Sequence, residues 1–240
     1  MRTMLMMAVV LVGSVSWAQT ETKEFDAKLI RSLELENIKG AVKIEGGHED
    51  KLVVTAEKIE FTKSCALEFK QKGSDLDIKI HRKGVFKKSD CTTNFTILVP
   101  KVIDLDLKNG AGDVSVTGTK GEIDFKIGAG HLTVDADVHE LEGSSGSGEI
   151  TVKSLAGDVD LKMGSGSAKI TYAAVPVSGK FDLKSGSGSV ELTMPADAKF
   201  TTSFISPAGK LTNEIGETSG SKFRVSVKSG AASLHIKKAL

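Results

Sequence analysis

Histidines, cysteines and a dense set of carboxylates are the side chains of this 240-residue chain that could carry chemistry. His48, His81, His131, His139 and His235 are scattered, with none of the short spacings that metal sites use. Serines crowd the glycine-rich segments, so none stands out as a nucleophile beside a histidine and an acid. The acids recur as a pattern, without the singular pair that glycoside hydrolysis requires. A calcium-binding roll needs an acid at a fixed place in every Gly-Gly-x-Gly-x-Asp corner. Here the residue after Gly-x-Gly is Asp113, His131, Glu149, Ser167 or Ser189, and the oxygen ladder breaks off. Ser115, Thr133 and Thr151 would align as an ice-binding array, but Lys169 and Glu191 interrupt the column. The expectation is a protein with no catalytic residues, no cofactor and no metal.

The two cysteines, Cys65 and Cys91, have three readings: a disulfide, two buried thiols, or a functional pair. An isolated pair in an oxidising compartment favours the bridge. Closing a loop of this size stabilises a fold by roughly 3–4 kcal/mol in the chain-entropy model. The compartment follows from the first eighteen residues, which read as a secretory signal peptide. Arg2 supplies the positive start, Met4 to Val12 is an apolar run, and Ser16-Trp17-Ala18 matches the small-x-small cleavage pattern. As a helix the apolar run spans about 14 Å, less than half of a hydrocarbon core of about 30 Å. The mature chain, with no transmembrane segment, is expected in the periplasm or at the cell surface of a bacterium.

Composition narrows the partners. The net charge is +1, which offers no electrostatic footprint for nucleic acid or acidic membranes. After the signal only Arg31, Arg82 and Arg224 remain for bidentate anion recognition. Trp17 leaves with the signal and Tyr172 is the single tyrosine, so stacking platforms for sugars or bases are scarce.

The elements that hold these residues repeat. Leu105-Asp-Leu-Lys-Asn-Gly-Ala-Gly-Asp-Val-Ser-Val116 is followed by Ile123-Asp-Phe-Lys-Ile-Gly-Ala-Gly-His-Leu-Thr-Val134. Leu141 to Val152, Val159 to Ile170 and Phe181 to Leu192 continue the series. The first four units start 18 residues apart, and an insertion near Pro176 stretches the next step to 22. Degenerate copies follow at Phe204 to Asn213 and Val227 to Ile236. Within a unit the apolar residues alternate: Ile123, Phe125 and Ile127 face one way, Asp124 and Lys126 the other. Gly110 and Gly112, Gly128 and Gly130, Gly146 and Gly148, Gly164 and Gly166, and Gly186 and Gly188 mark structural corners. A second corner is expected near Gly121, Gly143 and Gly157. One unit buries too few side chains to offset the entropy of ordering itself, so the units must stack.

The fold class expected is therefore all-β, a right-handed parallel β-solenoid with coils of about 18–22 residues; the competing arrangement is an antiparallel meander. Parallel stacking would align Asp106, Asp124, Glu142, Asp160 and Asp182 in one outward row. Lys108, Lys126, Lys162 and Lys184 would stand beside it as a solvated face. Residues 19–100 read as an irregular β region or cap, with short strands at Leu33, Val42, Leu52, Leu67, Leu76 and Phe95. Residues 101–240 read as the repetitive domain.

The strand end Leu98-Val99-Pro100, the ordered Gly-x-Gly corners and the late Leu192-Thr-Met-Pro195 strand end together resemble the bacterial adhesin-like DUF4097 domain, related to autotransporter-adhesin head domains. The resemblance runs from about residue 30 to the end. It implies an extracytoplasmic β-solenoid with adhesion or envelope association and no assigned catalytic residues. The function expected is a rigid surface for an unknown protein or an envelope or cell-surface component. The alternatives are a periplasmic structural or envelope-stress-associated protein and, further off, a carbohydrate-active enzyme or calcium roll.

Overall fold

The computed structural model describes residues 19–84 and 91–239. The segment read as a signal peptide, 1–18, lies outside them. Alternation of apolar and polar residues sends the described chain into strands almost throughout. β1 (Gln19–Asp26), β2 (Ser32–Asn37), β3 (Val42–Glu45), β4 (Lys51–Glu60), β5 (Cys65–Lys72), β6 (Asp75–Arg82) and β7 (Thr92–Leu98) form the first part. β8 (Asp104–Ala111), β9 (Val114–Ala129), β10 (Leu132–Tyr172) and β11 (Ser178–Met194) carry the repeats. β12 (Thr201–Ile205), β13 (Leu211–Asn213) and β14 (Lys222–Lys238) finish the chain. A short 3-10 turn at Ala27–Leu29 is the one helical element among the described residues.

All the strands belong to one curled, open sheet. The repeats pair in parallel and in phase. Leu105 lies beside Ile123 and Ile123 beside Leu141, each step 18 residues; Val159 lies beside Phe181, a step of 22. Ladder bonding in β10 persists for 41 residues, through Gly146, Gly148, Gly164 and Gly166. The alternation expected from sequence holds: Ile123, Phe125, Ile127, Leu132 and Val134 are buried, while Asp124 and Lys126 are exposed. Each stacked row buries apolar area worth about 25 cal/mol per Å² and shares it with the rows above and below.

The first part of the chain is woven into the same sheet. β2 pairs in parallel with β8 and with β6; β3 pairs in parallel with β9 and with β7. β2 and β3 form a rung of the repeat type, with Ile38-Lys-Gly40 at the corner. Antiparallel pairs appear only beyond it, in β1–β4, β4–β7 and β5–β6. Cys65 and Cys91 are joined in a disulfide that ties β5 to the start of β7.

At the other end, chain order and spatial order part company. β14 lies between β11 and the pair β12 and β13, so the outermost rung is made by residues that precede the final strand.

Gly143 is not a corner residue. It pairs with Phe125 in the middle of a strand, and a Cβ added there would sit 2.4 Å from the Phe125 carbonyl oxygen and 2.5 Å from its ring. The absent side chain makes room for both the neighbouring backbone and that ring.

Candidate binding surface

The corner glycines stand in two columns, and close approach of successive rungs fixes both. A Cβ on Gly128, Gly146, Gly164 or Gly186 would fall 2.3–2.4 Å from the carbonyl oxygen of the preceding glycine in its column. For Gly130, Gly148, Gly166 and Gly188 the distance is 2.3 Å or less. Gly110 and Gly112 make the same approach to Ile38 and Gly40, at 2.3 Å each. The second column also has positive φ, from +120° to +133°. Two asparagines that sequence reasoning passed over secure the corner from within. The buried Asn37 amide donates to the Thr93 carbonyl at 3.1 Å. Asn109 donates to Gly40 at 3.1 Å and Gly112 at 2.9 Å. Their signal was the alignment of Leu33–Ile44 with Leu105–Val116, which places Asn37 on Asn109.

The position after each corner, where a calcium roll would place its acid, instead links rungs by hydrogen bonds. The His131 N–H donates to Asp113 Oδ1 at 2.9 Å, the Glu149 N–H to His131 Nδ1 at 3.3 Å, and Ser167 Oγ to Glu149 Oε2 at 3.1 Å. At the opposite turn, Asp104 and Asp158 accept from the N–H groups of Glu122 and Lys180 in the same way. Lys169 holds the Glu149 carboxyl below the usual range. Among the described residues no group of histidines, cysteines and acids is placed to hold a metal ion.

Outside, the register creates the charge rows. Asp106, Asp124, Glu142, Asp160 and Asp182 occupy one column; Lys108, Lys126, Ser144, Lys162 and Lys184 occupy another. Lys108 donates to Glu34 at 2.7 Å and to Asp106 at 3.1 Å, and the hydrogen bond to Glu34 is the main reason its pKa is raised. Lys180 reaches Asp160 at 3.4 Å. Asp124 has its pKa raised, first by desolvation and then by Glu142 and Asp106 in its own row.

Because the glycine column has no side chains, a trough opens beside the lysine row. It encloses about 730 Å³, with Lys108, Lys126 and Lys162 along one wall and the backbone of Gly110, Gly128, Gly146 and Gly164 exposed along it. It crosses five rungs, or about 19 Å at the usual strand spacing. A second groove of about 710 Å³ lies at the Pro176 insertion, between Ala173–Val177 and the loops at Pro195 and Gly220, where Val177 is 90% exposed.

A repeat-built all-β protein with a trough between a lysine row and a glycine column is what these features define. The chain belongs to the Toastrack DUF4097 family, whose model matches residues 13–238. Similar solved structures include a "putative cell adhesion protein" from Clostridium sporogenes, 15% identical, covering 92% of this chain and 100% of that one, with a TM-score of 0.40. A "putative adhesin" from Parabacteroides distasonis is 13% identical over 91% of this chain and 97% of that one, TM-score 0.44. A "putative lipid binding protein" from the same organism is 14% identical at the same coverages, TM-score 0.43. Likenesses this distant carry no argument about ligand. No curated protein matches the sequence. Among the described residues no helix is long and apolar enough to cross a membrane.

Proposed function

We propose that this is an exported, non-catalytic, adhesin-like protein that presents a rigid β surface to an envelope or cell-surface partner. In this reading residues 101–240 form a right-handed parallel β-solenoid, the hand favoured for parallel crossovers, and residues 19–100 close one end of it. The trough carries the reading. It is a preformed concave surface on hydrogen-bonded rungs, with an accessible backbone floor and a lysine wall, so docking there costs little ordering entropy. Lys126 and Lys162 are exposed on that wall and free to meet a partner's acidic groups.

The test is binding of the purified protein to isolated envelope fragments and to intact cells. A Lys126→Gln, Lys162→Gln variant should lose most of that binding while keeping its far-UV circular dichroism spectrum. Undiminished binding by the variant would remove the trough from consideration. Protease accessibility of a tagged copy on intact cells places the protein at the surface if it is cleaved. Protection until the outer membrane is permeabilised would favour a periplasmic structural role.

A further inference from the structure

The two ends of the sheet differ in chemistry. At one end the outer strands are β1 and β5. β1 carries Glu21, Lys23 and Glu24, with Lys58 2.7 Å from Glu21 and Lys51 2.5 Å from Glu24. β5 carries Glu68, Lys70 and Lys72, with Lys70 3.1 Å from Glu68. Charged edges of this kind resist addition of another strand, because pairing would desolvate them. At the other end the outermost strand of the path is β12, paired on one side only, to β14. Its sequence, Thr201-Thr-Ser-Phe-Ile205, has no charge at all. Ile205 is 57% exposed and Leu211 of the neighbouring β13 is 37% exposed.

We propose that this C-terminal end pairs with the same end of a second copy, β12 running antiparallel to β12 about a two-fold axis through Ser203. In that register Thr201 lies opposite Ile205 and Thr202 opposite Phe204, and residues directly opposite share a face of the sheet. Lys199, just before β12, falls opposite Pro207, so no like charges meet. Docking onto β1 or β5 of another copy would press their charges against a strand that has none to answer them. The closed, isologous pair is therefore favoured over an open head-to-tail filament. A contact made by one five-residue strand lies at the small end of specific interfaces, so the dimer forms and dissociates with concentration.

Ser203 is exposed and sits on the axis, which makes it the position to change. Sedimentation velocity of the purified protein should show a monomer–dimer equilibrium that shifts toward dimer as concentration rises. Ser203→Lys and Ser203→Glu each place like charges face to face and should sediment as monomers. An equimolar mixture of the two should recover the dimer. A wild type that stays monomeric to near-millimolar concentration, growth into filaments, or a dimer indifferent to both substitutions would overturn the proposal. Should a charged variant fail to fold, Ser203→Cys gives a second measurement. Mild oxidation should cross-link it into dimers, while Ser178→Cys, an exposed serine on β11 away from that edge, should not. Absence of the Ser203→Cys cross-link refutes the arrangement.

Discussion

Replacing Gly166 by alanine should separate the cost of backbone strain from the cost of close stacking. Gly166 has φ +121°, and a Cβ there would lie 1.9 Å from the Gly148 carbonyl oxygen. Ordinary contact begins at 3.4 Å, so the two rungs would have to part by about 1.5 Å. A ladder hydrogen bond stretched that far is lost, at about 1–3 kcal/mol when the carbonyl stays buried. The positive φ adds about 1–3 kcal/mol. Together these give roughly 2–6 kcal/mol, a large share of a total stability of about 5–15 kcal/mol. Gly216→Ala is the matched control: its φ is +92°, and nothing lies within 4 Å of the added atom. It should cost the strain alone. Urea unfolding followed by far-UV circular dichroism measures both variants. Equal losses would refute the claim that rung-to-rung approach, and not turn geometry, dictates glycine at the corner.

Three further outcomes can be checked with the same unfolding assay. Asp124 binds its proton more tightly in the folded state than in the unfolded one, so it destabilises at neutral pH and is relieved as pH falls through its raised folded value. Asp124→Asn should then stabilise by about 0.2–1 kcal/mol at neutral pH, the gain vanishing below the ordinary carboxylate range; a gain that persists unchanged in acid would contradict an acid disfavoured in its charged form by desolvation and by its own row. Converting both Cys65 and Cys91 to serine opens a loop with a sequence separation of 26 and should cost about 3.5 kcal/mol, read as a lower urea midpoint. The Tyr172 hydroxyl donates to the Gly157 carbonyl at 3.1 Å, so Tyr172→Phe should lose about 0.5–1.5 kcal/mol.

Local pattern made much of this structure readable in advance. Alternation in Ile123 to Val134 announced which side chains face inward, and the constant step announced which residues would stand in columns. The glycine columns were visible because Gly-x-Gly recurs at a fixed distance. Gly143 was misjudged because a glycine that vacates space for a neighbouring ring looks, in sequence, like a glycine that turns the chain. The rung formed by β2 and β3 was harder to see. It is separated from β8 and β9 by some seventy residues, and its corner reads Ile38-Lys-Gly40, without the first glycine. The place of β14 between β11 and β12 was not legible at all, since parallel pairing sets no rule about which rung comes last. The trough was hidden for a related reason: one side of it is a row of glycines, which declares itself as a turn before it declares itself as a surface.

The position of β14 also sets a timetable. A ribosome delivers residues 201–213 before residues 222–238, yet the earlier segment pairs with the later one. Until the last strand emerges, β12 and β13 have no neighbour, and the edge of β11 stands open. The rung at this end therefore closes only after residues 222–238 have emerged. A chain that lacks residues 222–238 is left with the edges of β11, β12 and β13 unpaired, which marks it out to a protease from a chain that has them.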